Sequence, residues 1–198
     1  MTRLEWTRCA ALVLAVASSA GLALAQDQAQ VVIDRGLTED LPYTAIYPSV
    51  LRSVDDGSPA TILTLQHPDA PLQCDAFAVA GAEPDWTADA ALSKLDVAGI
   101  EATWAPDFPG FKVVAQSVTR FASGPALLYE GESDNSPLGI PLRIVHAEAA
   151  DAGRTYAIEC LMEKSIAADA RPLVDFFIAN FSTRSDGQCC INPADDRG

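Results

Sequence analysis

The sequence predicts an α+β fold: a single-domain α/β/α sandwich whose mainly antiparallel sheet of about six strands is covered by two helices. Three observations predict it. Four strand-like segments follow one another between residues 111 and 164 with short turns between them, which implies an antiparallel meander. Several of those segments are apolar on both sides, and a sheet with two apolar faces needs two covers. Two segments with helical spacing, one before the meander and one after it, are available as those covers.

Taken in order, residues 1–25 read as a secretory leader rather than as part of the fold. Arg3 and Arg8 give a positive start, an apolar run follows, and Ala23-Leu24-Ala25 is a small-residue cleavage site before Gln26. The run is too short and too Ala-rich for a good membrane span, and no cysteine directly follows it, so no stable membrane anchor is expected. The mature protein is therefore expected to be periplasmic or secreted. Residues 26–59 read as an irregular N-terminal segment. It has a polar start, a brief β-prone stretch suited to an edge strand, and then a Pro-, Asp- and Gly-rich wrap with Tyr43 and Tyr47 beside Pro42 and Pro48.

The folded unit is expected over residues 60–182. ATILTLQHP and LQCDAFAVA are two strands around an HPDAP turn, a hairpin with a loop of moderate length. A helix follows, with Thr87 as N-cap, Trp86 packed at its start, Ala88, Ala91, Leu92 and Leu95 at helical spacing, and Gly99 as its stop. IEATWAPDFPG, with two prolines and two aromatics, is expected to be a structured loop. The meander is FKVVAQSVTRFA, PALLYEGES, IPLRIVHAEA and RTYAIECLMEK. Simple alternation puts Val114, Val118, Leu128, Val145 and Leu161 opposite Phe111, Val113, Leu127, Ile144 and Ile158. In the last strand Tyr156, Ile158, Cys160 and Met162 share one face. The final helix is expected to start at an Asp169 N-cap with Pro172 in its first turn. Its apolar arc of about 200° is formed by Leu173, Val174, Phe176, Phe177, Ile178 and Phe181. Asn180 lies inside that arc, so it needs a partner or marks the helix end. Residues 183–198 read as a polar C-terminal tail with a Cys pair.

This order of a hairpin, a helix, a four-strand meander and a long C-terminal helix ends in Phe177-Ile178-Ala179-Asn180-Phe181-Ser182. Together with the stretch GESDNSPLGIPLRIVHAEAADAGRTYAIECL, it resembles the Mog1/PsbP-like α/β/α sandwich superfamily over about residues 60–182. The resemblance implies a mostly non-enzymatic binding or assembly factor, since such families include a small-GTPase partner and a photosystem extrinsic subunit. No local motif matches, so no functional residue carries over.

The whole chain has 13 basic and 27 acidic residues, a net charge of −14. Without the leader, which holds Arg3, Arg8 and Glu5, the net is −15. Such a surface repels nucleic acid and anionic lipid and suits an extracytoplasmic, soluble protein. Four cysteines remain after the leader, Cys74, Cys160, Cys189 and Cys190, and export makes disulfides the default. Three pairings are possible. Cys74–Cys160 is preferred because both lie in apolar strands, leaving Cys189 and Cys190 to form a vicinal bond or to find other partners. The alternatives use the Cys pair to staple the tail to the sheet.

Candidate chemistry is sparse. No G-x-S-x-G turn is present, and the two histidines, His67 and His146, have no partners evident in sequence. His146 reads as a buried, hydrogen-bonded strand residue. His67-Pro68-Asp69 is a two-ligand fragment, and the acidic run from Glu130 to Asp134 reads as a solvated hairpin tip, so no metal and no cofactor are expected. Adjacent cysteines lack the C-x-x-C geometry of an exchangeable dithiol. Asn180-Phe181-Ser182 matches a glycosylation sequon but falls in an apolar helix. Trp104, Phe108 and Phe111, with Pro106 and Pro109, are the candidate binding loop. The expected function is an exported, soluble, non-catalytic binding or accessory protein of the envelope, with a protein or small ligand as partner and no catalytic residues. The competing readings are a periplasmic hydrolase with a carboxylate/His site and a disulfide-stabilised structural envelope factor.

Overall fold

Tyr156, Ile158, Cys160 and Met162 are all buried and the residues between them are half-buried, which is the period of two read from the sequence. In this computed structural model, which describes residues 30–36, 41–55 and 61–190, that strand lies inside a seven-stranded antiparallel sheet. The expected leader, residues 1–25, lies outside the described residues. The elements run β1 (Val31–Gly36), β2 (Tyr43–Pro48), β3 (Arg52–Val54), β4 (Thr61–Gln66), β5 (Leu72–Ala80), α1 (Ala88–Ser93) and α2 (Val97–Trp104). They continue with β6 (Lys112–Phe121), β7 (Gly124–Ser133), β8 (Leu142–Asp151), β9 (Arg154–Glu163), α3 (Ala167–Ala179) and β10 (Phe181–Ser182). The large sheet has the order β3-β4-β5-β9-β8-β7-β6, and a small sheet has the order β1-β2-β10. The hairpin and the meander are both present, and the architecture is α+β with a mainly antiparallel sheet.

Among the described residues the strand count differs, seven plus three rather than about six. Of the additional strands, β2 and β3 come from residues read as irregular wrapping, β1 from the β-prone stretch before it, and β10 from the expected end of the final helix. β2 is buried along its whole length, and Pro42 and Pro48 stand at its two ends rather than inside its ladder. β1 pairs along one side of β2, and β10 along the other. One-sided pairing makes β1 an edge strand, as its β-prone stretch suggests.

One face of the large sheet is covered by α3 and the small sheet together, not by a helix alone. Tyr43, Tyr47, Leu51, Val174, Phe177 and Phe181 meet Val145, Ile158, Cys160 and Met162 in one core. Tyr156 OH donates to the Pro42 carbonyl at 2.9 Å, which fastens the small sheet to β9. The opposite face is covered by α1 and α2, which pack over β6 and β7.

Two face assignments from simple alternation are corrected by the register. Leu161 pairs with Ile144, and Ile158 with Ala147, so Leu161 shares the face of Ile144 while Ile158 shares that of Val145. A bulge between Val113 and Ala115 shifts β6 by one residue and places Val118 opposite Leu127, on the same face. Val114 and Val118 are exposed on this edge strand rather than buried.

The first helical segment is two helices. Thr87 Oγ1 accepts from the Ala90 amide, the expected cap, but α1 ends at Ser93. Asp96 then caps α2 through the Gly99 amide at 3.0 Å, so Gly99 lies inside a helix instead of stopping one. α3 begins at Ala167, earlier than expected, with Asp169 in its first turn and Pro172 inside it. Val174, Phe177 and Ile178 are buried, Leu173 and Phe176 are half-buried, and Phe181 belongs to β10. Asn180 is the C-cap, and its side-chain amide donates to the Phe176 carbonyl at 2.9 Å.

The acidic run is not a solvated tip. Glu130 is buried under α3, bridged by Arg171 and, at 2.7 Å, by Arg143; Glu132 meets Arg143 and Lys164. Burial opposes ionisation of Glu130, but the two guanidinium partners outweigh it and hold its carboxyl below the usual range. The start of the expected tail is also fastened. Thr44 Oγ1 donates to the Arg184 carbonyl at 2.7 Å, and Arg35 Nη2 to the Gly187 carbonyl at 2.9 Å.

Candidate functional site

A row of polar side chains crosses the sheet on the α1–α2 face. Register aligns Thr64 with Asp75, Asp75 with Glu159, Glu159 with His146, His146 with Tyr129, and Tyr129 with Gln116. Six strands thus contribute one residue each. Alternation puts these side chains on the face opposite the α3 core, because their neighbours Cys74, Cys160 and Val145 point into that core.

His146 is the pivot of the row. Its Nδ1 lies 3.1 Å from Glu159 Oε1 and its Nε2 lies 3.3 Å from Glu148 Oε2, so both ring nitrogens face carboxylate oxygens. Carboxylates accept, so both nitrogens must donate and the ring is an imidazolium. Burial works against that charge, but the hydrogen bonds to Glu148 and Glu159 outweigh it and raise the pKa to about 9. Tyr129 stacks on the imidazolium with ring centroids 4.5 Å apart. Trp104 Nε1 donates to Tyr129 OH at 3.0 Å, and burial keeps that phenol above the ordinary range.

The rest of the row is equally tied. Thr64 Oγ1 donates to Asp75 Oδ1 at 2.7 Å, Gln73 Nε2 to Asp75 Oδ2 at 2.8 Å, and Gln66 Nε2 to Gln73 Oε1 at 2.9 Å. The C-terminal end of α2 borders this part of the sheet, and a groove of about 830 Å³ opens beside it. Gln73, Asp75, Glu159 and Leu161 line its sheet side, while Trp104 lines it from the end of α2 and Phe108, Leu138 and Ile140 from the loops.

The predicted aromatic loop reaches this place in part. Trp104 ends α2 and stacks on Phe111 at 5.5 Å, tilted against Phe108 at 5.5 Å. Trp104 and Phe108 line the groove. Phe111 is 2% exposed and is a core residue instead, lying on Gly131. A Cβ at Gly131 would come within 2.0 Å of that ring, so only glycine lets the ring lie there. Cys74 and Cys160 are bonded to each other on the opposite face, directly beside the Asp75–Glu159 pair. Cys189 and Cys190 lie outside the groove.

Sequence reasoning missed Asp75, Gln73 and Glu159 as site residues. Their signal was present as polar positions alternating with Cys74, Ala76, Ile158 and Cys160 in otherwise apolar strands. Among the described residues no three His, Cys, Asp or Glu side chains are grouped to hold a metal ion. Among them, too, no helix is long and apolar enough to cross a membrane.

No family model matches the chain, and no curated protein matches it. Solved structures do. A cyanobacterial PsbP from Synechocystis is 13% identical with a TM-score of 0.49, covering 85% of this chain and 97% of that one. LpqN, involved in cell envelope biogenesis in Mycobacterium tuberculosis, is 13% identical with a TM-score of 0.47, covering 80% and 86%. The Ran-binding protein Mog1p of Saccharomyces cerevisiae is 8% identical with a TM-score of 0.44, covering 72% and 83%. The likeness is one of fold. It is silent on what the groove holds.

Proposed function

We propose that this is an exported, soluble, non-catalytic binding protein and that the groove beside the Asp75–Glu159 row is its ligand site. The observation that carries the reading is an open volume of about 830 Å³ with a hydrogen-bonded polar side and an aromatic and aliphatic rim. That size and composition are those of sites for small ligands. The hydrolase reading loses its base: His146 is 7% exposed and commits both ring nitrogens to carboxylates, so it has no lone pair to offer a nucleophile. Export rests on the leader pattern, and an acidic surface suits life outside the cytoplasm.

Two measurements test this. N-terminal sequencing of protein recovered from the native cell should begin at Gln26 in an extracytoplasmic fraction; an intact Met1 in the cytosol would remove export from the reading. Amide chemical shifts recorded against a mixed set of neutral, cationic and anionic small molecules should move together at Gln73, Asp75, Glu159 and Leu161. Shifts elsewhere, or turnover of a generic ester that is lost in His146→Gln, would replace the binding reading with another.

A further inference from the structure

The groove's charge is one-sided. Its acidic lining residues are Asp75, Asp107 and Glu159; among the described residues no Lys or Arg lines it, and His67 is its one basic side chain. Asp75 and Glu159 are also directly opposite each other across β5 and β9. Like charges in that relation repel across a sheet, and a cation placed over both relieves the repulsion. On the far side of Glu159, one imidazolium serves two carboxylates, Glu148 and Glu159, which leaves that trio one negative charge in excess. Asp75 stands next in the row, its oxygens oriented by hydrogen bonds from Thr64 and Gln73. Beside this acidic floor stand the rings of Trp104 and Phe108, with Leu138 and Leu161 close by. Carboxylates next to aromatic faces are the combination that attracts an ammonium group, and a tetraalkylated one most of all.

Resting on the reading of the groove as a ligand site, we propose that it selects a small organic cation, with an ammonium group over Asp75 and Glu159 and an apolar body against Trp104, Phe108 and Leu138. A bare metal ion fits less well, since the described residues offer no cluster of ligands and most of the lining is apolar. The disulfide serves this site from behind. Cys74 and Cys160 occupy the register position next to Asp75 and Glu159, so the bond holds the two like charges at a fixed spacing without a cation present.

The test titrates the purified full chain with benzyltrimethylammonium, with its uncharged isostere neopentylbenzene, and with phenylacetate, following amide shifts. Benzyltrimethylammonium should bind at the groove at least tenfold more tightly than either of the others. Asp75→Asn should weaken it about tenfold and leave the isostere unchanged. Asp107→Asn, exposed and outside the sheet, should weaken it by a smaller factor with no risk to the fold. Equal binding of the isostere or of phenylacetate at the groove overturns the cation assignment and leaves the binding site standing. No groove shifts with any probe at millimolar concentration overturns both. Occupancy by the peptide Lys-Phe-Lys at or above that of benzyltrimethylammonium reassigns the groove to a protein partner and overturns the small cation.

Discussion

His146 shows how one residue couples the sheet to pH. Folded, it keeps its proton up to about pH 9, whereas an unfolded histidine releases it near 6.5. The stabilisation is therefore complete below pH 6.5 and drains away as pH rises from 6.5 to 9. The shift corresponds to about 3 kcal/mol at most. Urea midpoints of the protein should fall between pH 6.5 and 9, and His146→Gln should flatten that slope. An equal slope in the variant would mean that the imidazolium is not the group responsible. Sequence reading placed His146 correctly on a strand and as a buried, hydrogen-bonded residue, yet its partners were out of reach. Glu148 is two residues away on the same face, but Glu159 meets it across the β8–β9 ladder, and that pairing depends on a register no local pattern specifies.

At the scale of elements, α3 carries the apolar cover of one face. Phe177 is fully buried and meets Tyr47 and Phe181 edge to ring at 6.4 and 6.3 Å. Phe177→Ala should cost about 3–5 kcal/mol, read as a lower midpoint in a circular dichroism melt. An unchanged midpoint would show that α3 is not part of the core. The arc of Val174, Phe177 and Ile178 was legible because 3.6-residue spacing is a local property. The start of α3 was not: Asp169 suits an N-cap, but a short helical turn over Lys164–Ile166 runs straight into the helix, so the chain is already helical at Ala167. The split between α1 and α2 had a local signal, since Asp96 can cap a helix as well as Thr87 can. It was masked by the apolar spacing of Leu92 and Leu95.

For the whole molecule, the Cys74–Cys160 bond joins two strands that are 86 residues apart in sequence. Closing a loop of that length lowers the entropy of the unfolded chain by about 4–5 kcal/mol at 25 °C. The double variant Cys74→Ala/Cys160→Ala should lose stability of that order in urea unfolding. A loss under 1 kcal/mol would place the bond's role in the folded state, in the spacing of Asp75 and Glu159, rather than in the unfolded chain.

By itself, the sequence determined the meander, the β4–β5 hairpin, the buried stripe of β9 and the helical character of residues 170–179. Each depends on the two- or 3.6-residue period of a continuous segment and on turn residues lying within it. Tertiary structure alone decided that residues 43–54 supply strands, that Val118 changes faces at a bulge, and that Asp75, Glu159 and His146 stand in one row beside a groove. Those outcomes are set by pairing between distant strands, where a shift of one residue turns every side chain to the other face.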